Sequence, residues 1–518
     1  MHGFHFPIAI ATNLWIKYDG CLCLPCPSTE IGSYRFGLTE QTAKQPTVTE
    51  QTTSPVTDAS YLTGQGKILK HLAIISVFTL LSGCAQYEPR PVDLGAYPLL
   101  YDVRPLEGLQ TGEVLSPSKL MAQALKTSPT LLQSQSSVLT ARAAAWSSKI
   151  HPAASLSLTA EYSKAAGGTS PWLYGAALDL PTDWGQRRDS RVQSAELAAL
   201  DAYYAYAEAL WSTYSKVKHG LIDRHYADEE QKTASDLVLA RSTAVTLMEQ
   251  RVEQGEEPDL TLVRMKSDLA GAQSLERAAK ARRVRADQIL ADALGVTADK
   301  VEGLKIMAEA EDNRLDQTQL MTWRREAVLL RKDVLSAVAA YDRSDLELRL
   351  AYAKQYPEVR LGPGYVWERG IDKLPLSVGL SLPPYDLNRA AIAEADARRM
   401  EAGKALETSQ AAVLAAVDQA WTALKQAQTN RDQADQTDLP LARKAFGNAQ
   451  MTYRFGETDG LDLASAKAAV AEASLSALET RHLASLAQAD LEDALRRPFE
   501  LQDRTVLQSA VDRLKAKP

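Results

Sequence analysis

The chain has 518 residues, with 58 Lys+Arg against 65 Asp+Glu and a net charge of −7, so it lacks the basic excess that a nucleic-acid surface needs. A mean hydropathy of −0.24 and the lack of several apolar stretches of about 20 residues exclude a polytopic helical membrane protein, but not a β-barrel, whose strands alternate polar and apolar residues. Four Cys are too few for a disulfide scaffold of this length.

Residues 1–61 show no helical or strand period and are expected to be mis-assigned or disordered upstream sequence, with the start near Leu62. Cys21, Cys23 and Cys26 lack the further Cys/His cluster that would complete a metal site. Lys67, Lys70 and His71 precede an apolar run, Leu72 to Leu81, followed by small residues. Basic, then apolar, then small is the order of a secretory signal, assigned to 62–83, and the run is too short to span a bilayer. Leu81-Ser82-Gly83-Cys84 resembles the bacterial lipobox. That resemblance implies that Cys84 is acylated (palmitate), that the mature chain is 84–518, and, with Ala85 rather than Asp next, that it is sorted to the outer membrane.

The mature part contains two similar halves. His151-Pro152 recurs as Tyr356-Pro357, Leu180-Pro181 as Leu382-Pro383, and Gly255-Glu256 as Gly456-Glu457, at offsets of 205, 202 and 201. One order at a nearly constant offset indicates an internal two-fold duplication of a unit of about 200 residues. Each half is predicted as helix, two strands, long helix, shorter helix. Residues 116–150 form the first helix, with Ser116 as N-cap and Pro117 at the first helical position. Leu156, Leu158, Ala160 and Tyr162 alternate with polar residues in one strand, and Trp172, Tyr174, Ala176, Leu178 and Leu180 in the next, with a turn at Gly167-Gly168. The second half repeats this with Val359, Leu361, Tyr365 and Trp367, a turn at Gly370, and an alternating strand from Leu374 to Leu382 in which Pro375 marks an irregularity.

Long helices follow. Leu197, Leu200, Tyr204, Ala207, Trp211 and Tyr214 are spaced 3, 4, 3, 4, 3, a coiled-coil seam, and Val413, Val417, Ala420, Trp421 and Leu424 form the equivalent stripe. No Pro interrupts 187–254 and only Pro440 interrupts 387–454, so each stretch extends roughly 100 Å. Shorter helices at 259–294 and 462–496 predict two short helices stacked end to end beside each long one. The many Asp, Glu and Arg residues on these helices are expected on solvated or tunnel-lining faces.

Four strands cannot close a barrel, and only helices or closed barrels cross a bilayer, so the strands must close with copies from other chains. Lipobox, duplication, paired hairpins and helices of that length together resemble the outer-membrane efflux protein (TolC-like) family, over about residues 110–500. The resemblance implies a mainly α fold with a small β part: a long α-helical coiled-coil barrel and, in a homotrimer, a 12-stranded transmembrane β-barrel with four strands per chain. It implies a passive exit duct in the outer membrane, extending into the periplasm, with a periplasmic adaptor (membrane fusion) protein and an inner-membrane pump as partners. It divides the chain into a lipidated linker (84–115), a first efflux repeat (116–295), a connecting equatorial segment (296–321), a second repeat (322–497) and a C-terminal tail (498–518).

The most specific match is Tyr453-Arg454-Phe455-Gly456-Glu457 followed by Leu461-Asp462-Leu463 and Ala466. In the family this is the periplasmic turn of the gate, which implies gate roles for Tyr453 and Asp462. The family's second acid is Ser465 here, so a trimer would present one ring of three carboxylates. Gly255 and Gly456, with Glu256 and Glu457, would mark the tips that receive the adaptor. No catalytic motif is present, and His219 and His225, six apart, do not share a helix face well enough for zinc, so neither an enzyme nor a cofactor beyond the lipid on Cys84 is expected. Two other readings stay open: the outer-membrane channel of a type I protein secretion system, and a periplasmic helical scaffold lipoprotein with no pore.

Overall fold

A computed structural model describes residues 87–106, 114–164, 170–182, 186–306 and 316–515. Residues 1–61, the signal at 62–83, Cys84 and the Gly167-Gly168 turn lie outside them. The chain divides into two compact units, Met1–Arg90 and Pro91–Pro518. Of the first, residues 87–90 are described; they are exposed and without regular structure.

The second unit begins with α1 (Ala96–Val103), the two-residue strand β1 (Val114–Leu115), α2 (Pro117–Thr127) and α3 (Pro129–Ser148). The single helix expected over 116–150 is therefore two. The residue before a proline is disfavoured in the α region, and Ser128, before Pro129, is extended (φ −65°, ψ 118°), which breaks the helix there. Ser116 occupies the N-cap, but its Oγ pairs with Ser118 Oγ at 2.8 Å instead of capping the helix.

The first hairpin is β2 (Ser155–Tyr162) and β3 (Trp172–Pro181), followed by α4 (Gln186–Glu253) and α5 (Asp259–Leu294). A short helix α6 (Ala298–Glu302) and β4 (Lys305–Ile306), which pairs in parallel with β1, connect the halves. The second half is α7 (Gln317–Leu330), α8 (Lys332–Ala353), β5 (Glu358–Glu368), β6 (Ile371–Lys373), β7 (Leu376–Ser381), α9 (Arg389–Gln433), a π-helical turn (Ala434–Asp438), α10 (Leu439–Arg454) and α11 (Gly460–Leu495). The segment expected as a tail carries α12 (Leu501–Lys515). The strand expected from Leu374 to Leu382 is split at Leu374-Pro375, the position where proline, with no N–H for the ladder, was expected to make it irregular; both pieces pair with β5. Pro440 similarly falls at the start of α10, where the π turn absorbs its missing donor.

The helices form a layer of four rods. α4 packs between the α3/α5 stack on one side and the α8/α11 stack on the other, and α9–α10 lies beyond the second stack. The sheet order is β2, β3, β5, then β6 and β7 on the outer flank of β5. Each strand thus continues the rod from which it emerges. Ala272, Ala279, Ala286 and Ala293 on α5 are buried at seven-residue intervals. Such a repeat keeps one seam facing a neighbour and imposes a left-handed supercoil, and small residues let the axes approach. In the seam expected on α4, Ala207, Trp211 and Tyr214 are buried and Leu200 is exposed.

The stack junctions carry the two largest apolar clusters. One gathers Leu120, Met121, Leu210, Leu290, Leu294 and Leu507; the other Leu320, Val334, Val417, Leu424, Leu491 and Leu495. At the first junction, Thr127 Oγ1 donates to the Leu294 carbonyl at 2.7 Å, and Arg104 Nη1 donates to the carbonyls of Thr127 (2.7 Å) and Gly295 (3.0 Å). At the second, Arg331 Nη1 donates to the Ala494 carbonyl at 2.6 Å. Gly295 ends α5 with φ +67°, and Arg496 ends α11 in the same left-handed region with φ 49°. Arg187, at the start of α4, donates to the Tyr356 carbonyl at 2.6 Å and to the Ala353 carbonyl at 3.4 Å, tying the base of β5 to the base of α4.

A Cβ at Gly295 would lie 2.7 Å from both Pro129 Cδ and the Thr127 carbonyl, at a φ that L residues rarely adopt. Gly295→Ala is expected to destabilise the purified protein by about 1–3 kcal/mol, read as a lower denaturation midpoint. An unchanged midpoint would contradict the junction as described.

Candidate functional site

Two regions stand out at opposite ends of the rods: the sheet, and the two helix tips. In the sheet, one set of apolar positions pairs across the strands. Leu156 faces Leu178, Tyr162 faces Trp172, Tyr174 faces Trp367, Leu361 faces Val378 and Pro363 faces Leu376. Side chains alternate across a strand, so these residues all lie on one face. The opposite face carries Ser157, Thr159, Gly175, Gly362, Gly364, Ser377 and Gly379. A Cβ on Gly362 would come within 2.1 Å of Ser377 Oγ, so glycine is what lets β7 lie close to β5 there.

The apolar face is uncovered: Leu158 is 76% exposed and Leu376 72%. A face this large is unstable in water and suits a lipid or protein partner. Aromatic residues gather at the end of the sheet away from the helices. Tyr162 meets Trp172 edge to face at 5.0 Å, and Trp172, Tyr174 and Trp367 follow with ring centroids 5.8 and 5.9 Å apart. At the helix end, Tyr352, Tyr356 and Tyr385 are exposed. Aromatic belts at both ends of an apolar band mark the two interfaces of a membrane. The strands alternate in direction, and β2 and β7 each leave one edge without a partner among the described residues. Among the described residues, no helix is long and apolar enough to cross a membrane.

The two tips are built alike. At the first, the Glu256 amide donates to the Arg251 carbonyl (2.9 Å) and the Gly255 amide to the Val252 carbonyl (3.0 Å). At the second, the Glu457 amide donates to the Thr452 carbonyl (2.9 Å) and the Gly456 amide to the Tyr453 carbonyl (3.1 Å). Both glycines have φ +75°, the left-handed helix ending that favours glycine. A Cβ on either would meet nothing within 4 Å, so the tips are open, and Glu256 and Glu457 are exposed beside them. Phe455 is 79% exposed, and Leu260, Val263 and Met451 are exposed nearby in sequence.

The tips are joined. Arg251 forms an ion pair with Asp459, Leu461 packs on Val245, Met248 and Leu262, and Gly460 lies against Leu247. Asp459 is also the N-cap of α11, its Oδ1 accepting from the Asp462 amide at 2.9 Å. Asp462 sits in the first turn of α11 with its side chain exposed, and no partner for its carboxylate occurs among the described residues. Ser465 is exposed three residues further on. Tyr453 is half exposed, its ring near Gly460. The sequence reading passed over Arg251 and Asp459. The N-cap of α11 was legible as an Asp before a helix, but its ion-pair partner is 208 residues away. Among the described residues, no cluster of three or more His, Cys, Asp or Glu could hold a metal ion.

Residues 120–296 match the family described as Outer membrane efflux protein. The match spans about a third of this chain. The chain's fold is that of solved outer-membrane channels, as the resemblance implied: mainly α-helical with a small sheet. The outer membrane protein VceC from Vibrio cholerae is 17% identical, with a TM-score of 0.61 over 74% of this chain and 97% of its own. The CmeC outer membrane channel from Campylobacter jejuni is 13% identical, with a TM-score of 0.61 over 82% and 97%. The open-state MtrE outer membrane channel from Neisseria gonorrhoeae is 18% identical, with a TM-score of 0.60 over 80% and 97%. No curated protein matches the chain in sequence.

Asp459→Ala removes both the cap and the tie between tips, and a lost cap costs about 1 kcal/mol. It is expected to speed amide exchange across 451–465 more than Arg251→Ala, which removes the ion pair alone. Equal effects would mean the cap contributes nothing.

Proposed function

We propose that this chain is a homotrimeric outer-membrane exit duct, lipid-anchored at Cys84, that exports small molecules as the channel of a tripartite efflux system. The observation that carries the reading is the sheet: one continuous apolar face, aromatic residues at both ends and two unpaired edges. An open edge in hydrocarbon leaves backbone N–H and C=O groups without partners, and closure removes that cost. Because the four strands alternate in direction, β2 of one copy can pair antiparallel with β7 of the next. Three copies then give 12 strands, a barrel wide enough for an aqueous pore. β2, β3 and β5, of 8, 10 and 11 residues, suit the thickness of an outer membrane.

At the far end, the open tips around Gly255 and Gly456, with Glu256 and Glu457, are the proposed docking points for the helical ends of a periplasmic adaptor, which joins the duct to an inner-membrane pump. Asp462 and Tyr453 are the proposed gate residues, and the Arg251–Asp459 tie holds that region closed. Three Asp462 carboxylates around a constriction repel one another and attract cations.

The mature protein is expected to run at three times the chain mass in detergent and to conduct in planar bilayers. Asp462→Asn is expected to lower cation over anion selectivity, read as a shifted reversal potential in a KCl gradient. A monomer that never conducts, even as the Asp462→Asn variant, would favour the scaffold reading. Cys84→Ser is expected to abolish incorporation of labelled palmitate; labelling equal to the unsubstituted protein would defeat the anchor assignment.

A further inference from the structure

Next to the first stack junction, α12 is fastened to the rods by a buried charged cluster that the duct mechanism does not use. Glu492 on α11 and Asp503 on α12 are each 1% exposed, and Lys218 on α4 is 5% exposed. Lys218 Nζ lies 2.6 Å from both oxygens of Glu492, a forked contact that commits the one ammonium to that carboxylate. Tyr214 on α4 donates to Asp503 Oδ2 at 2.8 Å and lies 3.4 Å from Glu492 Oε2. Asp503 Oδ1 is buried and makes no hydrogen bond. The other groups facing this carboxyl are the Glu500 carboxylate, which precedes α12, and the Ser118 amide at the start of α2.

Two buried carboxyls therefore share one ammonium. If both were ionised, the cluster would hold an uncompensated negative charge out of water, which costs several kcal/mol. Burial pushes the Glu492 carboxyl up and the forked Lys218 contact pulls against it, so Lys218 favours the ionised form at Glu492 more than at Asp503. Asp503 makes no such direct contact with a cation. Burial and the Glu500 charge raise Asp503 above the usual carboxylate range, and they outweigh the Tyr214 and Ser118 donors and the more distant Lys218 charge, which favour the ionised form.

We propose that Asp503 is held as a neutral carboxylic acid in the folded chain, and that this buried proton latches the C-terminal helix α12 onto α2, α4 and α11. In that form either Asp503 accepts from Tyr214 through Oδ2, or its own O–H donates to Tyr214 Oη while the Tyr214 hydroxyl turns to donate to Glu492. Both arrangements keep the Lys218–Glu492 pair intact. The apolar part of the attachment, Leu507 and Ala510 in the core of the first junction and Leu514 against Val138, Tyr203 and Tyr206, is indifferent to pH. The proton sets how firmly that attachment holds. A carboxyl raised on docking stabilises the docked form fully at acidic pH, and the stabilisation is lost as pH rises through the raised value. The helix is therefore held most firmly in acid and loosens as pH rises above the ordinary carboxylate range.

Amide exchange of residues 501–515 in the full-length trimer in detergent, corrected for the intrinsic pH dependence of exchange, reads this directly. Between pH 4 and pH 8 the unsubstituted protein is expected to lose protection there by about 10-fold or more, at no more than about 10-fold per pH unit for one proton. Asp503→Asn, isosteric with the neutral acid, is expected to keep the acid-level protection at both pH values. Protection that does not change with pH in the unsubstituted protein would overturn the proposal. So would a pH dependence that survives in Asp503→Asn, and a dependence abolished by Glu492→Gln instead would place the proton on the wrong carboxyl.

Discussion

In the proposed duct, backbone groups in hydrocarbon must all be paired, and that constraint organises the rest of the molecule. Four strands leave two edges, so the chain cannot meet the constraint alone. The sequence prepares for it: the strands alternate in direction, their outward residues are apolar, and the inward positions near β7 are small enough for close approach. The helices answer to the same requirement. The order of rods repeats the order of strands, so the geometry that the sheet needs in the membrane is set along about 100 Å of helix outside it.

The duplication is visible in the structure and so are the places where the copies diverge. Each half has a helix-stack junction, a hairpin, a long rod and a glycine tip. The first long rod is continuous for 68 residues, whereas the second is interrupted by a π turn before Pro440. The first stack ends on Gly295, whose missing Cβ admits Pro129; the second ends on Arg496, which keeps a side chain in the left-handed region, at a cost of order 1 kcal/mol, and uses it to bond Asp493 and pair with Glu208. The central position belongs to the uninterrupted rod, and the interrupted one lies on the flank.

Local periodicity made most of this legible. The period-2 alternation placed β2 and β3 within a residue, and the bounds of α4 and α5 followed from a Pro-free stretch and a Gly ending. The break at Ser128 was also written in the sequence, as a residue before proline, yet the continuing apolar pattern on both sides concealed it. Partners distant in the chain were not legible. Arg224, Asp287 and Glu492 were expected on solvated or tunnel-lining faces and are buried instead, together with Lys218 and Asp503, for which no burial was expected. Helical spacing says which face a residue occupies, not whether a second helix supplies an opposite charge. The tie between Arg251 and Asp459 escaped for the same reason.

The contact made by Arg187 has a consequence for how the sheet keeps its alignment. Strands rich in glycine specify their pairing weakly and are prone to slip, and a slip of one residue would turn the apolar face to the other side. Two of the pairings here are hairpins, and their turns limit slippage. The pairing of β3 with β5 joins segments about 180 residues apart and has no turn to fix it. Arg187 bonds the carbonyls at the foot of β5 from the start of the helix that follows β3, so the one join with no covalent restraint is indexed from outside the membrane, by a side chain acting as a stop.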